Sequence, residues 1–133
     1  LYYSPETTYM ARFFGECNLI NCIVVNEDSK SVKVSSEFGN FVIPNNGSLN
    51  RDLDFVYGIR PEEVKLVAKN ENSIRIKIKD ISFKGSTSTI NATNENEDAL
   101  LKIQNISSNI SQSLSVGTYI DVEFNTKYGS IFT

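Results

Sequence analysis

Arg60 and Glu62 flank a proline in the run Gly58-Ile59-Arg60-Pro61-Glu62, a spacing that presents a guanidinium fork and a carboxylate from one rigid corner. The chemistry on offer there is recognition. Arginine pairs with carboxylates in a fixed two-pronged geometry, so the corner reads either as a contact to another subunit or domain, or as a local ion pair that shapes the turn. Exposed pairs contribute only about 0–1 kcal/mol, and stability alone does not require one. Other chemistry-bearing groups are sparse. The chain has no histidine, which removes the commonest general base and the commonest metal ligand together. Glu95, Glu97 and Asp98 lie in Asn94-Glu95-Asn96-Glu97-Asp98, without the Asp-X-Asp-X-Asn-Gly order of a calcium loop, and read as a flexible acidic loop. Lys84-Gly85-Ser86 reverses the order of a phosphate loop and reads as a turn; no G-x-x-x-x-G-K-[ST] run occurs. No catalysis, cofactor or metal is expected within this chain.

Arg75, Lys77 and Lys79 line one face of an alternating segment. Single-stranded nucleic acid is held by basic grooves with aromatic stacking platforms, and no aromatic interleaves this stripe before Phe83. The net charge of −3 supplies no global attraction for nucleic acid or an anionic membrane, so a solvated sheet face is expected. Cys17 and Cys22 are too few for a disulfide framework and are expected as free thiols. Asn46, Asn91, Asn105 and Asn109 each head an Asn-X-Ser/Thr triplet. In a chain this rich in Asn and Ser, with no signal peptide, they read as chance.

The elements that must position these residues are mostly strands. Pro61 locks φ and lacks a ladder N–H, so the strand Asp54–Ile59 must stop and turn before Val64–Val67 begins. Gly58 offers a site where another group can approach the backbone closely. Upstream, Leu19–Val25, Ser31–Ser35 and Gly39–Ile43 read as strands, and Pro44-Asn45-Asn46-Gly47-Ser48 as a turn. Downstream, Ile74, Ile76 and Ile78 share a face, after which the phase slips to Ile81 and Phe83; that change of parity requires a bulge near Lys79-Asp80. Thr87–Ala92, Leu100–Ile106, Tyr119–Phe124 and Ser130–Phe132 follow as strands, with Ser107–Ser115 a low-complexity stretch.

Residues 1–17 differ. Ser4, Pro5 and Glu6 form a helix start, Tyr9, Met10, Phe13 and Phe14 an apolar stripe, and Gly15 a stop. That stripe must bury against this chain's own sheet or against a domain upstream. At 133 residues the chain suits one domain or two small subdomains sharing a core. No segment approaches the ~20 apolar residues of a membrane span. The start at Leu1, in mid-pattern, reads as a piece excised from a longer protein. The fold expected is all-β: tandem small barrels of the oligonucleotide/oligosaccharide-binding (OB) type, spanning 18–67 and 68–133, after a linker helix over 1–17.

Tyr3-Ser4-Pro5, Ala11-Arg12-Phe13-Phe14-Gly15-Glu16-Cys17-Asn18, Gly58-Ile59-Arg60-Pro61-Glu62 and Phe83-Lys84-Gly85, taken in order, resemble the C-terminal regulatory region (TOBE) of ATP-binding subunits of bacterial ABC importers in the maltose, spermidine/putrescine and iron(III) group. The resemblance implies a non-catalytic regulatory and dimerisation domain, with ATP and Mg confined to an absent ATPase domain. It implies as partners a second copy of the chain, that upstream domain and, through it, membrane permease subunits. It places the chain in the cytoplasm at the inner face of the plasma membrane. Phe13, Phe14, Glu16, Asn18, Arg60 and Glu62 become candidates for interdomain or dimer contacts. The competing reading is a free-standing OB-like module for single-stranded nucleic acid or carbohydrate.

Overall fold

The computed structural model describes residues 17–133. Phe13, Phe14 and Glu16, and the helix expected to carry them, lie outside the described residues. Ten strands run in chain order: β1 (Asn18–Glu27), β2 (Ser31–Ser36), β3 (Gly39–Pro44), β4 (Asp54–Ile59), β5 (Val64–Val67), β6 (Ile74–Lys84), β7 (Thr87–Thr93), β8 (Leu100–Ser107), β9 (Tyr119–Phe124) and β10 (Ser130–Phe132). A helical turn, α1 (Ser108–Ser111), follows β8, and single 3-10 turns at Pro61–Glu63 and Thr126–Tyr128 precede β5 and β10. The fold is all-β, as the alternating pattern predicts.

The chain repeats itself. Four strands, a 3-10 turn and a fifth strand make up each half, but the fifth strands are exchanged. One sheet has the order β10-β4-β1-β2-β3 and the other β5-β9-β6-β7-β8, so each half completes the other's sheet. β5 pairs antiparallel with β9, Val64 opposite Phe124, and β10 pairs with β4, Ser130 opposite Gly58. The segments 18–67 and 68–133 therefore each carry one strand of the other's sheet, and their apolar faces form a single core running from Ile20 and Val34 to Ile90 and Val122.

Local detail follows the side chains. β6 buries Ile74, Ile76 and Ile78 and turns its charged residues outward; its register against β7 then skips between Ile78 and Asp80, where the parity of the sequence changes. Two further irregularities, in β1 between Val24 and Asn26 and in β8, were not anticipated from the sequence. The register of β8 against β7 skips between Ser88 and Ile90, and Asn105 takes φ 62° there, a conformation that asparagine tolerates better than most residues. The serine-rich stretch after β8 is packed rather than loose. Ser108 and Ser111 are buried, the Ser111 and Ser88 hydroxyls hydrogen-bond each other, and Ser108 Oγ donates to the Gly85 carbonyl at 2.7 Å. α1 thus fastens the end of β8 to the β6–β7 turn.

Where β10 crosses β4, two glycines meet large rings. A Cβ on Gly58 would come 2.9 Å from Phe132 Cε2 and 3.2 Å from Cys17 Sγ, which is the close approach expected of that glycine. A Cβ on Gly129 would overlap the Tyr57 hydroxyl. Tyr57 is 2% exposed and packs with Phe41, ring centroids 5.5 Å apart, and with Phe124 at 6.4 Å. Its hydroxyl has no hydrogen-bond partner among the described residues. Leaving a buried hydroxyl unpaired costs roughly 1–3 kcal/mol, whereas the ring contacts need no oxygen. Tyr57→Phe is therefore expected to raise stability by about 1 kcal/mol in urea unfolding; a loss would show that the hydroxyl is satisfied in solution.

Candidate functional site

The opening motif sits where the two halves meet. β4 ends at Ile59, and Arg60 is extended with φ −69° and ψ 147°, as its proline neighbour demands. Pro61 is buried at the start of the 3-10 turn, and the Glu63 N–H closes it by donating to the Arg60 carbonyl at 2.9 Å. The turn is then tied to the second half. The Asn125 N–H donates to the Glu63 carbonyl at 2.8 Å, and Asn125 Nδ2 to Glu63 Oε1 at 3.2 Å. Lys65 Nζ donates to the Glu62 carbonyl at 2.8 Å.

Asn18 joins the same region from β1, where it stands opposite Ile59. It is nearly buried, and its side-chain amide acts as a length of strand. Nδ2 donates to the Lys102 carbonyl and Oδ1 accepts from the Lys102 N–H, both at 2.8 Å. The partners are 84 residues apart. Asn18 is therefore an intrachain clip between β1 of the first half and β8 of the second. Asn94 makes the reciprocal clip. It is 4% exposed, donates to the Glu37 carbonyl at 3.0 Å, and accepts from the N–H groups of Asp98 and Ala99 at 3.0 and 3.2 Å. The stretch expected as a flexible acidic loop is thus organised around a buried amide.

The remaining candidates sort by position. Arg60 is exposed and Glu62 half-buried, and both act electrostatically on the Cys17 thiol. Burial pushes that thiol above its ordinary pKa; the Arg60 charge opposes this, and the Glu62 charge adds to it. Asn18, Arg60, Glu62 and Cys17 are thus gathered where the chain emerges from residues 1–16. Both cysteines are free thiols. Burial, with the charge of Glu37 behind it, pushes Cys22 up to about 12.

The basic stripe has a different surrounding from the one its own strand suggests. Tyr119 on β9 stands opposite Lys77, and the Arg75 guanidinium lies 5.7 Å from the Tyr119 ring centre. An aromatic does border the stripe, contributed by a neighbouring strand. Acids border it too: Asp121 faces Arg75 in register, and Lys77 Nζ is 3.7 Å from Glu97 Oε2. The face is mixed in charge. A cleft of ≈370 Å³ between the halves reaches Arg75 and is lined also by Glu37, Asn40, Ser73, Asn94 and Glu95, and another of ≈650 Å³ lies on the first half, lined by Asn21, Ser35, Ser36, Glu37, Asp54 and Phe55. Among the described residues, no group of three or more His, Cys, Asp or Glu side chains is placed to hold a metal ion.

The profile of the TOBE domain family matches residues 57–132. The chain belongs to the TOBE domain family. Its match begins inside β4, at Tyr57, and takes in the Pro61 corner and both exchanged strands. Among curated proteins, this TOBE chain is 29% identical over 85 residues to the spermidine/putrescine import ATP-binding protein PotA of Clostridioides difficile (strain 630). That alignment covers 64% of this chain and 23% of the relative, so the chain spans about a quarter of that protein's length. Among solved structures, the cytoplasmic molybdate-binding protein ModG, in a form with molybdate bound, superposes with a TM-score of 0.67. It covers 87% of this chain and 95% of ModG at 10% identity, a likeness of fold alone.

Two outcomes follow for the TOBE junction. Asn18→Ala deletes both bonds to Lys102; a loss of about 2–3 kcal/mol is expected in chemical denaturation. Asn18→Asp should recover part of it, since the carboxylate still accepts from the Lys102 N–H. For Cys22, a folded pKa raised from 9.0 to about 12 means that the unfolded thiol ionises first. Stability is full below pH 9 and falls as pH rises toward 12. Cys22→Ala should flatten that decline in pH-dependent melting, and at pH 8 a thiol reagent should label Cys17 well before Cys22.

Proposed function

We propose that this chain is the non-catalytic regulatory and dimerisation domain of the ATP-binding subunit of an ABC importer. The observation that carries the reading is the TOBE match over 57–132 in a chain related to an import ATP-binding protein. The name of that relative favours spermidine/putrescine as the solute class over iron(III). In this reading, ATP and Mg belong to an ATPase domain that precedes the segment, and the permease subunits are reached through it. The location follows as the cytoplasmic face of the membrane. Among the described residues no helix is long and apolar enough to cross a bilayer, which is compatible with a peripheral subunit.

The repeats 18–67 and 68–133 act as one body, because exchanged strands and the amides of Asn18, Asn94 and Asn125 tie them together. Residues 1–17 form the link to the ATPase domain, with Phe13, Phe14 and Glu16 as its contacts. In the same reading Asn18, Arg60 and Glu62 are the contact candidates among the described residues, with Arg60 and Glu62 facing the neighbouring domain or subunit. A nucleic-acid or carbohydrate module has less support. The basic stripe is interleaved with Asp121 and Glu97, and acids beside a groove repel phosphate.

Sedimentation of the 133-residue chain, alone and with the matching ATPase domain, tests the proposal. A dimer or a complex is expected, and Arg60→Glu should weaken whichever forms by about tenfold, roughly 1.4 kcal/mol. A strict monomer with no affinity for that domain would sink the reading, as would salt-sensitive binding of a single-stranded oligonucleotide in fluorescence anisotropy.

A further inference from the structure

We infer that Asn46 is a site of spontaneous deamidation, a covalent modification built into the β3–β4 loop. Asn46-Gly47 is the one Asn-Gly pair in the sequence, and glycine is the successor that least obstructs attack of its own backbone nitrogen on the preceding side chain, because it has no Cβ. Both residues are exposed, so water and hydroxide reach them. Gly47 has φ +86° with nothing within 4 Å of the position a Cβ would take, and the loop has room to close a ring.

The hydrogen bonds around the pair polarise the electrophile. Asn46 Oδ1 accepts from the Ser48 N–H at 2.9 Å and from Ser48 Oγ at 2.6 Å. Two donors on one amide oxygen draw charge from Cγ and stabilise the oxyanion that forms when nitrogen adds, as an oxyanion hole does. The loop is held in this shape. Asn45 Nδ2 donates to the Asp28 carbonyl at 2.6 Å, and the Asn45 N–H donates to the Lys30 carbonyl at 3.0 Å. One contact opposes the reaction: the Gly47 N–H donates to Asn45 Oδ1 at 2.8 Å, and that proton must leave before the nitrogen attacks.

The step balances without an outside oxidant or reductant. Hydroxide removes the Gly47 amide proton to give water, the nitrogen forms a bond to Asn46 Cγ, and the Cγ–Nδ2 bond breaks as Nδ2 takes a proton from water, releasing ammonia and restoring hydroxide. The resulting five-membered imide takes up one water, and opening at either carbonyl gives aspartate or isoaspartate. The product adds a negative charge close to Asp28. It also removes the amide and, in the isoaspartate form, lengthens the backbone by one methylene, so the β3–β4 connection no longer matches its anchors.

The folded protein and a free peptide covering Pro44–Leu49 are incubated side by side at pH 8, and the segment is followed by peptide mass spectrometry and isoaspartate methyltransferase labelling. Gain of one mass unit at Asn46, within tenfold of the peptide's rate and faster than at any other asparagine, is the expected result. Conversion more than tenfold slower than in the peptide, or faster conversion elsewhere, overturns the inference. Ser48→Ala removes one of the two donors and should slow the reaction severalfold in the folded protein; an unchanged rate would overturn the proposed polarisation. Gly47→Ala should suppress the gain in both folded protein and peptide.

Discussion

Two sheets that each need a strand from the other half impose one constraint on the whole structure. β4 cannot complete its ladder until β10 arrives from the far end of the chain, and β9 has no outer partner until β5 crosses from the first half. Neither half has a finished sheet by itself, so the apolar faces of both must close over one core. The crossing is possible because side chains are absent at two positions: Gly58 admits the Phe132 ring, and Gly129 admits the Tyr57 hydroxyl. A methyl at Gly129 would press on the Tyr57 ring in an interior packed like a solid, and one at Gly58 would press on the half-buried Phe132 ring.

Side-chain amides complete what the ladders leave open. Asn18 stands in for a strand residue against Lys102, Asn94 holds the turn at Glu37, and Asn125 grips Glu63. At Asn18 an amide suits the place because it carries a donor and an acceptor side by side, matching the paired N–H and C=O of Lys102 on β8. An aspartate would satisfy only the N–H. The rigidity that results belongs to the junction, where Arg60 and Glu62 stand beside Cys17 and the chain runs back toward residue 16.

Much of the secondary structure was legible because it rests on local causes. Period-2 alternation marks which face of each strand is buried, and Ile74, Ile76 and Ile78 lie inward accordingly. A change of parity within one strand has no solution but a bulge, and β6 has one beside Lys79. The Pro61 corner follows from a locked φ and a missing N–H. The bulge in β8 left the same kind of trace, a slip of the apolar phase from Leu101 and Ile103 to Ile106 across Gln104-Asn105, though over too few residues to stand out, whereas the serine-rich stretch around Ser111 gave none because a buried hydroxyl pair leaves no hydrophobic signal.

Composition and local pattern by themselves determined an all-β chain lacking histidine, and motifs in order indicated the TOBE family that the comparisons then showed. Neighbour relations belonged to the tertiary structure. Alternation says which face a residue occupies and is silent about which strand lies beside it, so the exchange of β5 and β10, the reach of Asn18 to Lys102 and the placing of Tyr119 over Arg75 had no local trace. Those pairings join residues far apart in the chain, and they are selected by the joint burial of both halves rather than by any property of the segments that meet.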